Sequence, residues 1–232
     1  MTALSKDILT AKLFFNAAFP VMQVLLDDDP KLRKMFSNVK KTVQFGAKNE
    51  NDILACHMVF NSGKVEVIQG TAENPDLALT FPSVQKMNAL LTGGLALPSI
   101  KGGLKNFNLL IKTLSLLMGL MKMSPNNKPK DFEGKALKVK MSLYMITRAL
   151  STYNKLGVAE MVEFTQRQPD RIYQFTVEHE NQKDYIACYL RIKSGKTKSG
   201  HGIYERRFPF VHFRFLSVDG AIAVLGKEVE FV

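Results

Sequence analysis

Leu54-Ala-Cys56-His-Met-Val-Phe-Asn-Ser-Gly-Lys64 returns without a gap as Ile186-Ala-Cys188-Tyr-Leu-Arg-Ile-Lys-Ser-Gly-Lys196. Each is an apolar, strand-like run ending in Ser-Gly, where glycine supplies the backbone freedom that a tight turn needs. The echo extends outward. Gln44-Phe45 answers Gln174-Phe175, and Phe81-Pro-Ser83-Val84 answers Phe215-Leu-Ser217-Val218, in the same order and a residue or two out of register. Loop insertions give such offsets in a tandem duplication of one helix–hairpin–strand–helix unit. The alternative is chance likeness between short strand–turn–strand stretches.

Around this echo the pattern predicts an α+β chain. Apolar residues at Ile8, Ala11, Phe14, Phe15, Ala18, Met22 and Leu25 keep helical spacing, with Pro20 as a kink. Pro30, with an aspartate in front as cap, opens a short helix over 31–38. Strands are expected over 41–47, 53–60, 64–70 and 77–81, and a helix over 82–91 closed by Gly93-Gly94. Ser124 to Lys130, SPNNKPK, is apolar-free and reads as a linker. Beyond it, DFEGKALKVK reads as a strand and Met141 to Gly157 as a helix. Strand-like runs follow at Arg171 to Val177, Tyr185 to Ile192 and Phe208 to Phe215, then a short closing helix or strand from Val218 to Leu225. The expected organisation is a first unit over 1–123, a linker over 124–131, and a second, divergent and incomplete unit over 132–232, packed separately or as one globule.

Leu104 to Met123, LKNFNLLIKTLSLLMGLMKM, is the most unusual segment. Lys105, Asn108, Lys112, Ser115, Gly119 and Lys122 fall at alternating steps of three and four, a thin polar stripe on a mainly apolar cylinder. A surface helix shows an apolar arc of about 100°. A wider arc fits a wrapped core helix, a pocket wall or a membrane-surface helix. Its lysines argue against a spanning segment, which needs about 20 nearly uninterrupted apolar residues.

The 232 residues carry 32 Lys+Arg against 21 Asp+Glu, a net charge of +11 that favours anionic partners such as lipid head groups or acyl-CoA phosphates. The basic residues are scattered, without an arginine-rich arm or interleaved aromatics, so nucleic acid is not an expected partner. Cys56 and Cys188 sit alone inside strand-like runs and read as core residues, not as a disulfide framework or zinc site. The N-terminal apolar run has no small-residue cleavage pattern and is followed by Asp27-Asp28-Asp29, so a cytoplasmic protein is expected.

Signals for chemistry are sparse. His57, His179, His201 and His212 are dispersed, and none forms a metal-binding pair. No G-x-S-x-G elbow or G-x-G-x-x-G fingerprint occurs. The aspartate triplet reads as a solvated helix end and not a cation site. No catalytic residue, metal or cofactor is assigned, and binding is the economical reading. A lipid chain buries methylenes at about 0.8 kcal/mol each, and methionine makes an adaptable wall for it.

The string from Asn61 to Leu117 resembles the sterol carrier protein type 2 family, on Gly63, Gly70, Asp76-Leu-Ala-Leu79 and Leu90-Leu-Thr-Gly93. The family's late aromatic–x–Gly–Lys strand has two candidates, Ile100-Lys-Gly102 and Phe132-Glu-Gly134-Lys135. The resemblance implies a sterol-carrier-like α+β fold: a curved, mostly antiparallel sheet backed by helices, enclosing an apolar tunnel for fatty acyl chains or sterols. The expected ligand-binding residues are Phe14, Met22, Met87, Leu90, Leu110, Leu114, Leu117, Met118 and Met121. The expected function is non-catalytic binding or transfer of a hydrophobic ligand. The partners are a lipid or other hydrophobic small molecule and, transiently, an anionic membrane surface. The alternatives are an interaction or scaffold module without ligand, and an accessory subunit acting on CoA esters. No oligomeric state is read.

Overall fold

The computed structural model describes residues 4–226 and divides into two units between Met121 and Lys122. Both are α+β, each built on its own mixed sheet.

The first unit opens with one continuous helical segment. α1 (Lys6–Leu13) passes into a π turn (Phe14–Ala18), a 3-10 turn (Phe19–Val21) and α2 (Met22–Asp28). Pro20 has no N–H, and in an unbroken α-helix its ring would strike the carbonyl one turn back. The π turn, in which Phe19 N–H donates to the Phe14 carbonyl, takes up that misfit. Lys6–Asp28 is long and apolar enough to cross a membrane by length and composition, yet half of its apolar window is buried in the protein. Phe15 and Phe19 meet Phe45 of the sheet edge-on, with ring centroids 6.5 and 5.3 Å apart, and Phe45 meets Phe81 at 5.2 Å. α3 (Pro30–Phe36) starts on Asp29, whose carboxylate accepts from Lys31 N at 3.0 Å and Leu32 N at 3.1 Å.

The sheet of this unit holds β1 (Lys40–Asn49), β2 (Asp52–Asn61), β3 (Lys64–Gln69), β4 (Leu77–Phe81) and β5 (Ser99–Lys101), in the order β3-β2-β1-β4-β5. Only the β1–β4 pairing is parallel. α4 (Val84–Leu91) begins on Ser83, whose hydroxyl accepts from Lys86 N at 3.3 Å, and α5 (Phe107–Leu120) follows β5.

The second unit opens with α6 (Phe132–Lys155), a single helix where a strand was expected from 131 to 140. Leu137, Val139 and Met141 alternate with lysines and so imitate a strand. At about 100° per residue Leu137 and Met141 share one face of a helix and Val139 lies on the opposite one, and all three are buried because α6 is covered over a wide arc. Asp131 caps it, accepting from Gly134 N at 2.7 Å, and Lys138 Nζ donates to the carbonyls of Ser124 and Asn127. α7 (Ala159–Gln166), which has no expected counterpart, precedes β6 (Arg171–His179), β7 (Gln182–Lys193), β8 (Lys196–His201), β9 (Val211–Phe215) and α8 (Val218–Leu225). The sheet order is β8-β7-β6-β9, with β6 and β9 parallel. The expected early stop beyond Leu225 falls mostly outside the described residues.

Four strands of the first sheet have counterparts in the second, in the same order, while among the described residues β5 has none. Phe45 faces Cys56 across β1–β2 as Phe175 faces Cys188 across β6–β7. Ser62 and Gly63 turn with φ of 49° and 83°, Ser194 and Gly195 with 50° and 72°, the left-handed pair that a two-residue hairpin demands. Buried Gln44 accepts from Ala72 N at 2.9 Å, and buried Gln174 accepts from Tyr204 N at 3.0 Å. Ser217 caps α8 as Ser83 caps α4.

Candidate functional site

The site that stands out is α5 together with the loop that leads into it. The start of α5 is pinned to the sheet. Gly102 turns with φ 82°, and a Cβ there would fall 2.3 Å from the Asp76 carbonyl oxygen, so only glycine fits. Asn106 Nδ2 then donates to that same carbonyl at 2.8 Å. Asp76 is itself tied down, accepting from Lys41 Nζ at 2.6 Å and Thr42 N at 2.9 Å. Burial pushes its carboxyl pKa up, but Lys41 and the Thr42 N–H more than offset this and hold it below the usual range. The Asp76-Leu-Ala-Leu79 motif is therefore a latch between β1, β4 and the entry to α5.

One side of α5 packs on α2 and α3 through Leu109, Thr113, Leu116 and Gly119, all buried. The polar stripe through Lys112 and Ser115 is half-buried at the flank. The outermost stripe is apolar: Phe107, Ile111, Leu114, Met118 and Met121, at steps of four and three, are exposed, with Phe107 at 62% and Met118 at 73%. Leu95, Leu97 and Leu104 of the preceding loop are each 90% exposed or more. Monomeric soluble proteins rarely leave so continuous an apolar face to water unless it binds something.

The expected ligand-binding residues divide into three groups. Met22 and Met87 are fully buried in the core. Phe14, Leu90, Leu110 and Leu117 are half-buried. Leu114, Met118 and Met121 lie on the outer face. The space between the sheet and the N-terminal helix is occupied by the rings of Phe15, Phe19, Phe45 and Phe81. What the sequence reading missed is Leu95 and Leu97, which follow Gly93-Gly94 where no helical or strand period draws attention to them; Leu104, expected as the first residue of the apolar helix, lies ahead of α5. Of the two candidates for a late strand, Ile100-Lys-Gly102 supplies β5 and Phe132-Glu-Gly134 lies in α6.

Among the described residues, the four histidines sit in separate places, each with its own neighbour. His57 Nδ1 is 3.0 Å from the Gly70 carbonyl, His179 stacks on Phe132 at 4.1 Å, His201 on Tyr144 at 3.8 Å, and His212 Nε2 is 2.8 Å from Thr176 Oγ1. Among the described residues, no three His, Cys, Asp or Glu side chains converge as metal ligands. Burial raises the Cys56 thiol far above its ordinary pKa and pushes Cys188 up to about 12, the reverse of an activated nucleophile. A groove of about 330 Å³ along α7 is lined by Glu160, Glu163, Phe164, Arg167 and Gln168, and Arg167 pairs with Glu163 there.

Comparison with protein-family models, with curated proteins and with solved structures gives no match to this chain.

Proposed function

We propose that this protein binds a hydrophobic ligand, a fatty acyl lipid or a sterol-like molecule, and carries it without covalent chemistry. The observation that carries the reading is the outward apolar stripe of α5, from Phe107 to Met121, with Leu95, Leu97 and Leu104 standing beside it. A hydrocarbon chain laid along this face takes both its own surface and these side chains out of water, at about 25 cal/mol per Å². Methionine at Met118 and Met121 adapts to chains of different shape. The ligand seat is the outer side of the helical layer, since aromatic rings fill its inner side. The mostly antiparallel first sheet backed by helices agrees with the sterol-carrier resemblance. We read the two units as products of one tandem duplication, supported by the matching strand order, hairpin turns and buried glutamines. We also place the protein in the cytoplasm, a reading supported by two free, buried thiols.

A second reading, an interaction module, is favoured by the second unit. Phe208, Phe210, Phe213 and Leu216 are exposed on and around β9, and among the described residues β9 pairs with β6 only. Exposed strand edges with apolar neighbours invite pairing with another chain.

Binding of a fluorescent fatty acid separates the two. Leu114→Asp and Met118→Asp, both on the exposed stripe, should each abolish uptake while the far-ultraviolet circular dichroism stays unchanged. Undiminished uptake in both variants removes the α5 seat.

A further inference from the structure

We propose that the first unit docks on anionic phospholipid bilayers through α5 and the loop leucines. This rests on the ligand reading above and names the surface where the ligand would be loaded. The argument is one of charge placement. From Leu77 to Met121 the chain has no Asp or Glu, although 21 occur elsewhere in it, whereas Lys86, Lys101, Lys105 and Lys112 fall inside. Lys101 and Lys105 are exposed at the two sides of Leu104, and Lys112 lies on the flank of α5. α3, packed against α5, adds Lys31, Arg33 and Lys34, all exposed. The acidic residues at that corner are already engaged: Asp27 with Gln23 and Lys64, and Asp29 with the first N–H groups of α3.

An apolar stripe on a segment that carries lysines and no carboxylate of its own is the pattern of a helix lying in the head-group plane, where its apolar side chains enter about 5–10 Å and its lysines meet phosphates. A protein partner fits less well, because protein interfaces are depleted in lysine. A second copy would set like charges against each other. Leu104 and Phe107 sit at the start of α5, pinned by Gly102 and Asn106, and so form a rigid wedge and not a loose tail.

The test is co-sedimentation of the full chain with phosphatidylcholine vesicles, with and without phosphatidylserine. Binding is expected only with phosphatidylserine, and it should fall as salt shortens the screening length below its value of about 10 Å at 0.1 M. Lys101→Gln and Lys105→Gln should each lower the partition coefficient about fivefold. Leu104→Ser with Phe107→Ser should lower it more than about tenfold at unchanged charge, and both side chains are exposed, so the fold is retained. Equal binding to neutral vesicles, or wild-type binding by these variants, overturns the proposal. So does a dimer in sedimentation velocity that the Leu104→Ser/Phe107→Ser variant converts to monomer without any vesicle binding. Vesicle binding without uptake of a fluorescent fatty acid supports the docking and rejects the ligand reading. Uptake without vesicle binding does the opposite.

Discussion

Gly119 of α5 lies against Leu25 of α2: a Cβ built on Gly119 would stand 2.8 Å from Leu25 Cδ1 and 3.3 Å from Leu32 Cδ1. Leu25 and Leu32 are both buried, so neither can swing away into water. The glycine lets α5 approach the helical layer closely, and that approach turns Met118 and Met121 outward.

Two substitutions test this contact. Gly119→Ala gains about 1 kcal/mol of helix propensity and loses a similar amount to crowding, so its net effect should be small. Gly119→Val adds bulk with no comparable gain and should destabilise the first unit by about 1–3 kcal/mol. Urea unfolding of both variants measures the difference.

Gln174 is a buried hub. Its Nε2 donates to the carbonyls of Cys188 at 2.9 Å and Gly202 at 3.1 Å, and its Oε1 accepts from Tyr204 N. Gln174→Ala leaves these backbone groups without their partner and should cost about 2–4 kcal/mol. The loss should appear as earlier hydrogen exchange in β7 and in the segment around Tyr204. Gln44→Ala is the matching experiment in the first unit, read at Ala72 N.

His201 should make the second unit sensitive to acid. Burial, followed by the charges of Arg148 and Lys140, lowers its pKa in the folded protein. The unfolded chain therefore takes up the proton first as pH falls. Stability is full above the ordinary histidine value of about 6.5 and declines as pH drops through it. His201→Gln places in β8 the residue that Gln69 supplies at the matching position of β3. The variant should flatten the pH dependence of thermal unfolding between about pH 5 and 7, while losing about 1 kcal/mol at neutral pH with the Tyr144 stack.

Cys56 and Cys188 should resist a thiol-reactive disulfide reagent in the native protein and react fully in denaturant, because burial holds both thiols protonated. Rapid native labelling of either would show that its strand opens readily.

Local signals foretold much of this architecture. Leu77–Phe81 is the expected fourth strand to the residue, and Ser83 and Asp29 cap helices because short polar side chains before apolar runs do so. The Ser-Gly pairs placed two hairpins. Where tertiary contacts override local pattern, the reading failed. Lys135 to Met141 alternates like a strand but is helix, since burial on several sides accommodates an apolar residue at every second position. β8, with sequence KTKSGH, has almost no apolar signal and is a strand because the hairpin lays it along β7. In α5 the periodicity was legible, but which stripe faces water was not. A sequence pattern suggests that polar residues point outward. Packing on Leu25 and Leu32 instead turns the stripe from Phe107 to Met121 to the surface.

Native mass spectrometry of the freshly purified full chain tests the central claim most directly. The α5 seat predicts protein that carries the added mass of a lipid, lost on organic extraction, regained with oleate, and absent from Leu114→Asp. A bare chain that takes up no oleate under the same conditions would contradict it.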